Sequence, residues 1–221
     1  MLIPYVKKLA SKKLVLASAS PRRAELLTNL GLKFDVVVST FEETLDKASF
    51  PNAADYAKET ATHKAIDVTG KVIRESGEPD MVIASDTIVE LNGQILEKPD
   101  GHDGAYKMLS GLSGSKHKVH TGVVLILPKA VDPSTGKSPL VYSFTETTLV
   151  EFATLSHEAI EGYIASGEPM DKAGAYGIQG IGGSFVKGIQ GCYFSVMGFP
   201  IHRFSAEVVR LIENGSLPLE D

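Results

Sequence analysis

Disulfides, membrane spans and basic tails are all missing from this 221-residue chain. A single cysteine, Cys192, excludes any intramolecular disulfide and any cysteine-rich zinc site. That usage fits a reducing compartment, so a cytoplasmic location is expected. No apolar run is long enough to span a membrane. Lys7, Lys8, Lys12 and Lys13 precede Leu14–Ala19, but that apolar stretch is too short for a signal peptide and Pro21-Arg22-Arg23 follows at once. An excess of positive charge is lacking too: 22 Lys and Arg face 27 Asp and Glu, a net charge of −5. Nucleic acid is therefore not an expected partner, although a local cluster of cations can still hold a small phosphorylated ligand. The Walker pattern G-x-x-x-x-G-K-[ST] is absent, and the six histidines show no ligand spacing. What remains is ordinary globular material, 43% hydrophobic and 22% charged, enough for one domain with two lobes sharing a core.

The order of elements predicts a mixed α/β sheet flanked by helices. Residues 1–13 read as a short polar arm or helix. Leu14–Ala17 is a compact buried strand, and Ser20-Pro21 opens a helix with Ser20 as its cap and Gly31 as its end. Phe34–Val38 reads as a second strand and residues 52–69 as a helix capped by Asn52. Met81–Ala84 is a strand entering a polar turn, Ser85-Asp86-Thr87. Ile88–Leu91 and Gln94–Leu96 flank Asn92-Gly93, a type I′ hairpin signal. A helix over Asp103–Leu112 and a strand over Val119–Leu127 follow. Pro128–Pro139 is a surface loop. Val141–Phe152 alternates as a long antiparallel strand, and Leu155-Ser156 starts a helix. Ser184–Val196 suggests a twisted hairpin with Cys192 in the core. Phe199-Pro200 opens the last helix, ending near Asn214-Gly215; the Asn214-Gly215-Ser216 sequon is read as that helix end. Strands, helices and hairpins interleave, which favours a mixed sheet over a purely parallel one.

Five short constellations carry chemistry. Ala17-Ser18-Ala19-Ser20-Pro21-Arg22-Arg23 runs from a strand end into a helix start, where free N–H groups and the helix dipole favour an anion. The two arginines add forked contacts to phosphate oxygens. The plain alternative is a strand-turn-helix with solvated arginines. Asp86, after an apolar strand, suits a metal ligand or general base; the alternative is a turn aspartate. Lys98, in Leu96-Glu97-Lys98-Pro99, sits where a hairpin folds it back toward Asp86; alone it reads as a surface lysine. Glu42-Glu43, with Lys64 on the next helix, is either a metal site or a solvated face. Asp171–Gly183 holds five glycines in thirteen residues, which suits backbone passing close to a ligand or, alternatively, a set of turns.

Together these segments resemble the Maf-like nucleotide pyrophosphatases. Leu16–Arg23, Ala84–Val89, Leu96–Pro99 and the Asp171–Gly183 run appear in family order, covering roughly residues 13–213. Residues 1–12 are then an N-terminal extension to a single domain over 1–221. The resemblance implies a fold similar to inosine triphosphate pyrophosphatase, with two lobes around a deep cleft. Asp86-Thr87-Ile88-Val89 and Tyr176-Gly177-Ile178-Gln179-Gly180 look like the branch acting on dTTP, UTP and related or modified pyrimidine nucleotides. That implies hydrolysis to monophosphate and pyrophosphate, with a role in nucleotide-pool sanitation; the alternative is a nucleotide-binding regulator of cell division without turnover. By resemblance, Asp86 is the general base, and Arg22, Thr87 and Gln179 set specificity. Ser18, Arg23, Glu43, Lys64 and Lys98 complete the site. Mg²⁺ or Mn²⁺ would be held by Glu43 and Asp86 with phosphate oxygens, and a homodimer is left open.

Overall fold

A computed structural model describes residues 1–219. The N-terminal arm is a short helix, α1 (Val6–Leu9), and Leu2 and Leu9 are buried in the core. Strand β1 (Leu14–Ala17) is buried along its whole length. Helix α2 (Pro21–Asn29) starts on proline, but Ser20 makes no capping bond. Ser18 Oγ accepts from the Ser20 N–H at 3.2 Å, which shapes the turn ahead of the helix. The expected second strand shrinks to β2 (Asp35–Val36), two exposed residues with β1 as their single neighbour.

Helix α3 runs Ala53–Ser76, with Asn52 Oδ1 accepting from the Asp55 N–H. It passes the expected end at residue 69 because Val72 continues its buried stripe; the chain leaves the helix at Gly77. Strand β3 (Met81–Leu91) is one uninterrupted element, so the expected turn at Ser85-Asp86-Thr87 is corrected. The reason is a long partner: β5 (Lys116–Leu127) pairs antiparallel with it from Val82↔Ile126 to Glu90↔Lys118. Between them lie β4 (Gln94–Leu96), reached through the Asn92-Gly93 turn, and α4 (Gly101–Leu112), which starts two residues earlier than expected.

Beyond the 128–139 loop, β6 (Leu140–Phe152) pairs antiparallel with β5 over twelve register positions. Helix α5 (His157–Ala165) is capped by Ser156 Oγ, as its sequence predicts. The hairpin expected over 184–196 is instead strand β7 (Val186–Gln190) followed by a helical turn, α6 (Tyr193–Met197). Thr148 Oγ1 accepts from the Cys192 N–H and donates to the Cys192 carbonyl, so a β6 side chain takes the backbone that a returning strand would need. Cys192 is half-buried at the start of that helix rather than in the core. Helix α7 (Ile201–Glu213) closes the fold.

All seven strands share one sheet, ordered β2-β1-β3-β5-β6-β7, with β4 added to β3. β1 is parallel to β2 and β3, while the other pairings are antiparallel, so the sheet is mixed. Alternate residues bury on opposite faces. Leu14, Leu16, Met81, Ile83 and Leu125 meet Leu26 and Leu27 of α2 and Phe204 and Val208 of α7. Val15, Val82, Ala84, Val124 and Ile126 meet Ala61, Ala65, Val68 and Val72 of α3. A third cluster, around Leu109, Val119, Phe152 and Tyr163, packs α4 and α5 against the far end of the sheet. Among the described residues no helix is long and apolar enough to cross a membrane.

One gap in the pairing places the site. On one edge of β3, β1 ends at Ala17↔Ala84 and β4 begins at Val89↔Leu96. Ser85 to Ile88 are left without a strand neighbour on that edge, and a cleft of about 550 Å³ opens there.

Candidate active site

Strand alternation divides the polar residues of β3. Asp86 shares the face of Val82 and Ala84 and points toward α3; Ser85 and Thr87 point to the face of α2. Because the edge is open here, both faces reach the same cleft. Asp86 is 7% exposed. Lys64 of α3 donates to Asp86 Oδ1 at 2.7 Å and bridges to Glu43 Oε1 at 2.8 Å. Asp86 Oδ2 has no hydrogen-bond partner among the described residues and is not sealed off from the cleft. Burial pushes the Asp86 carboxyl above the usual carboxylate range, while Lys64 and Arg23 pull it back down.

On the other face, the turn after β1 and the start of α2 supply cations. Arg23 is held by three contacts: Nε donates to the Gly198 carbonyl at 2.9 Å, Nη1 to Ser18 Oγ at 3.2 Å and Nη2 to Thr87 Oγ1 at 3.1 Å. Burial pulls its guanidinium below the ordinary value, with Asp86 opposing. Ser85 Oγ donates to the same Gly198 carbonyl at 3.2 Å. Thr87 Oγ1 lies 3.0 Å from Thr121 Oγ1, which donates to the Ser195 carbonyl. These bonds fix Arg23 and Thr87 before any ligand arrives. Arg22 pairs with Asp171 at 3.1 Å, linking α2 to the segment that carries Gln179.

The structure brings all nine residues singled out from the sequence to this one cleft: Ser18, Arg22, Arg23, Glu43, Lys64, Asp86, Thr87, Lys98 and Gln179. Lys98 and Gln179 are exposed there and bond no other described residue. Glu97, Asp171, Lys172 and Gly198 also line the cleft. The first three sit inside motifs already noted, Glu97 beside Lys98 and Asp171-Lys172 at the head of the glycine-rich run. Glu97 accepts from Tyr56 at 2.6 Å and pairs with Lys47 at 2.6 Å, tying β4 to α3 and to the segment before it. No local pattern marks Gly198, whose carbonyl matters rather than a side chain.

The chemistry of the donor set suits a divalent cation. Glu43 and Asp86 offer hard carboxylate oxygens close enough to share one ammonium. Among the described residues no group of three or more His, Cys, Asp or Glu could hold a metal, so substrate oxygens and water would have to supply the other ligands. Magnesium takes such mixed sets of few carboxylates and phosphate oxygens.

The Maf-like protein family profile matches residues 13–211. The chain is 48% identical over 212 residues to a probable bifunctional dTTP/UTP pyrophosphatase/methyltransferase protein of Homo sapiens, covering 96% of this chain and 34% of that protein. It thus spans about a third of the human relative's length. A dTTP/UTP pyrophosphatase of Clostridium perfringens is 46% identical over 192 residues, 86% of this chain and 93% of that one. A dTTP/UTP pyrophosphatase of Desulforamulus reducens is 43% identical over 200 residues, 90% and 96% of the two chains.

Proposed function

The chain belongs to the Maf-like family, and from that premise we propose that it hydrolyses nucleoside triphosphates to the monophosphate and pyrophosphate. We take dTTP, UTP and related or modified pyrimidine nucleotides as its substrates, and nucleotide-pool sanitation in the cytoplasm as its role. The carrying observation is Asp86: buried, bonded through Oδ1 to Lys64, with Oδ2 free, at the gap between β1 and β4 along β3.

In this reading Asp86 Oδ2 takes the proton of a water that attacks the α-phosphorus in line. A raised carboxyl pKa moves such a base toward the working pH. Lys64 holds Oδ1 and so aims Oδ2. Glu43 and Asp86 would hold Mg²⁺ or Mn²⁺, which when bound neutralises phosphate charge and makes water more acidic. Arg22 and Arg23 at the N-terminus of α2, Ser18 in the turn before it and Lys98 after β4 receive the phosphates and the departing pyrophosphate. Gln179 accepts from N3–H of uracil or thymine and donates to an exocyclic oxygen, with Arg22 and Thr87 as the further specificity positions of the same cleft.

The test incubates the protein with Mg²⁺ and dTTP, UTP, CTP, ATP or GTP and separates products by chromatography. Monophosphate and pyrophosphate from the pyrimidines are expected. Diphosphate and orthophosphate would place the cut at the wrong phosphorus, and unchanged nucleotide would make the cleft a binding site without turnover.

A further inference from the structure

The segment Gly177–Gly182, which carries Gln179, is held from one side. Apart from its bonds into the adjoining turn that ends at Phe185, three hydrogen bonds leave it for other parts of the described protein, and these end on Glu168 or Tyr163. The Ile181 N–H donates to Glu168 Oε2 at 2.9 Å and the Gly182 N–H to Glu168 Oε1 at 3.2 Å. The Gly177 N–H donates to the Tyr163 hydroxyl at 3.0 Å, and that hydroxyl donates on to Glu168 Oε1 at 2.9 Å. Glu168 begins the short turn after α5, and it lies outside the residues lining the cleft.

The fit leaves no slack. A Cβ on Gly180 would sit 2.5 Å from Glu168 Oε1 and 2.6 Å from Cδ. The run of glycines suits backbone passing close to a ligand or a set of turns; at Gly180 the backbone approaches the protein's own carboxylate. Lys172 donates to the Glu168 carbonyl and pairs with Asp171, which pairs with Arg22, so the same turn is tied to the phosphate side.

We propose that Glu168 is a positioning residue for base selection: its carboxylate clamps the loop that presents Gln179 to the nucleobase. This rests on the reading of Gln179 given above. A preorganised polar group discriminates between bases only if its own backbone cannot follow the ligand. An acceptor-only carboxylate receiving two amides and a hydroxyl supplies that rigidity. Glu168→Gln keeps the shape but turns one acceptor into a donor that faces an N–H.

Five proteins are compared: wild type, Gln179→Ala, Glu168→Gln, the Gln179→Ala/Glu168→Gln double variant and Gly180→Ala, the last breaking the clamp sterically while keeping the carboxylate. Two readouts are taken: kcat and KM for dTTP and dGTP, and amide hydrogen exchange across residues 177–182. We expect both clamp variants to exchange faster in that segment alone. The dTTP-over-dGTP preference should fall about tenfold through KM, with kcat for dTTP within about threefold of wild type. In the Gln179→Ala background, Glu168→Gln should add nothing. Retained preference, a loss confined to kcat, or effects that simply multiply would overturn the proposal. A wild type without pyrimidine preference would sink the Gln179 reading, and the selectivity role with it. Exchange still judges the clamp in that case, faster exchange supporting it and unchanged exchange overturning it.

Discussion

Lys64 of α3 and Asp86 of β3 are joined by a 2.7 Å hydrogen bond, and their side chains are 14% and 10% exposed. Removing one partner of so buried a pair leaves an uncompensated charge, which costs about 3–5 kcal/mol. Lys64→Met is therefore expected to destabilise strongly, and Lys64→Met combined with Asp86→Asn to recover part of that loss. Urea titrations of the four proteins in the cycle measure it. A double variant as unstable as the sum of the singles would mean the two groups are not coupled.

Asp86→Asn alone keeps the shape of the site and removes the proton acceptor. Turnover of dTTP should fall about 10²–10⁴-fold, the usual contribution of a general base. Nucleotide binding, followed by calorimetry, should survive. A variant that turns over at the wild-type rate would remove Asp86 from the chemistry.

His117 gives a pH prediction outside the cleft. It is 2% exposed, shares a 2.8 Å hydrogen bond with the Tyr176 hydroxyl and packs edge-on to Phe152, while its Nδ1 has no partner. Burial lowers its pKa from 6.5 to about 4. The folded state thus favours the neutral ring, and this contribution is complete above pH 6.5 and lost as pH falls toward 4. The shift corresponds to a loss on the order of 3 kcal/mol. His117→Gln should be less stable than wild type at pH 7.5 but lose less on acidification to pH about 4.5, where unfolding curves would compare them. Equal acid losses in the two proteins would show that another group drives the transition.

Gly122 of β5 stands directly opposite Asp86 in the register. A Cβ there would lie 2.7 Å from the backbone N and Cα of Lys58, so its absence is what lets α3 settle onto the sheet. Gly122→Ala is expected to cost about 1–3 kcal/mol and to lower Tm by several degrees, roughly 2–4 °C per kcal/mol. Since α3 also carries Lys64, activity should fall as well. Full activity with a lowered Tm would show that Lys64 reaches Asp86 despite a shifted helix.

Short-range signals in the sequence identified the residues of the cleft better than the path of the chain between them. Ser18, Arg23, Asp86 and Gln179 each stand in a compact motif whose residue types suit one chemistry, and they converge in space. Ser85-Asp86-Thr87 reads as a turn because three polar residues after an apolar run usually mean an exit from the sheet. Here they stay in the strand, since β5 pairs on one side and the missing neighbour on the other provides solvent. That gap arises from where β1 stops and β4 starts, which no window around residue 86 contains. Glu168 is illegible for the same reason: besides the nearby Tyr163 hydroxyl, the partners that tie it to the Gln179 segment are backbone amides thirteen and fourteen residues away, which carry no side-chain signature.

The Gly198 carbonyl that anchors Arg23 comes 175 residues later in the chain. Synthesis runs from the N-terminus, so Arg23 leaves the ribosome 175 residues ahead of the carbonyl that fastens it. The same holds for Ser85, which bonds that carbonyl across 113 residues. A growing chain accordingly carries the two arginines of the cleft long before it carries the atom that holds one of them still, and the assembled cleft waits on synthesis past Gly198.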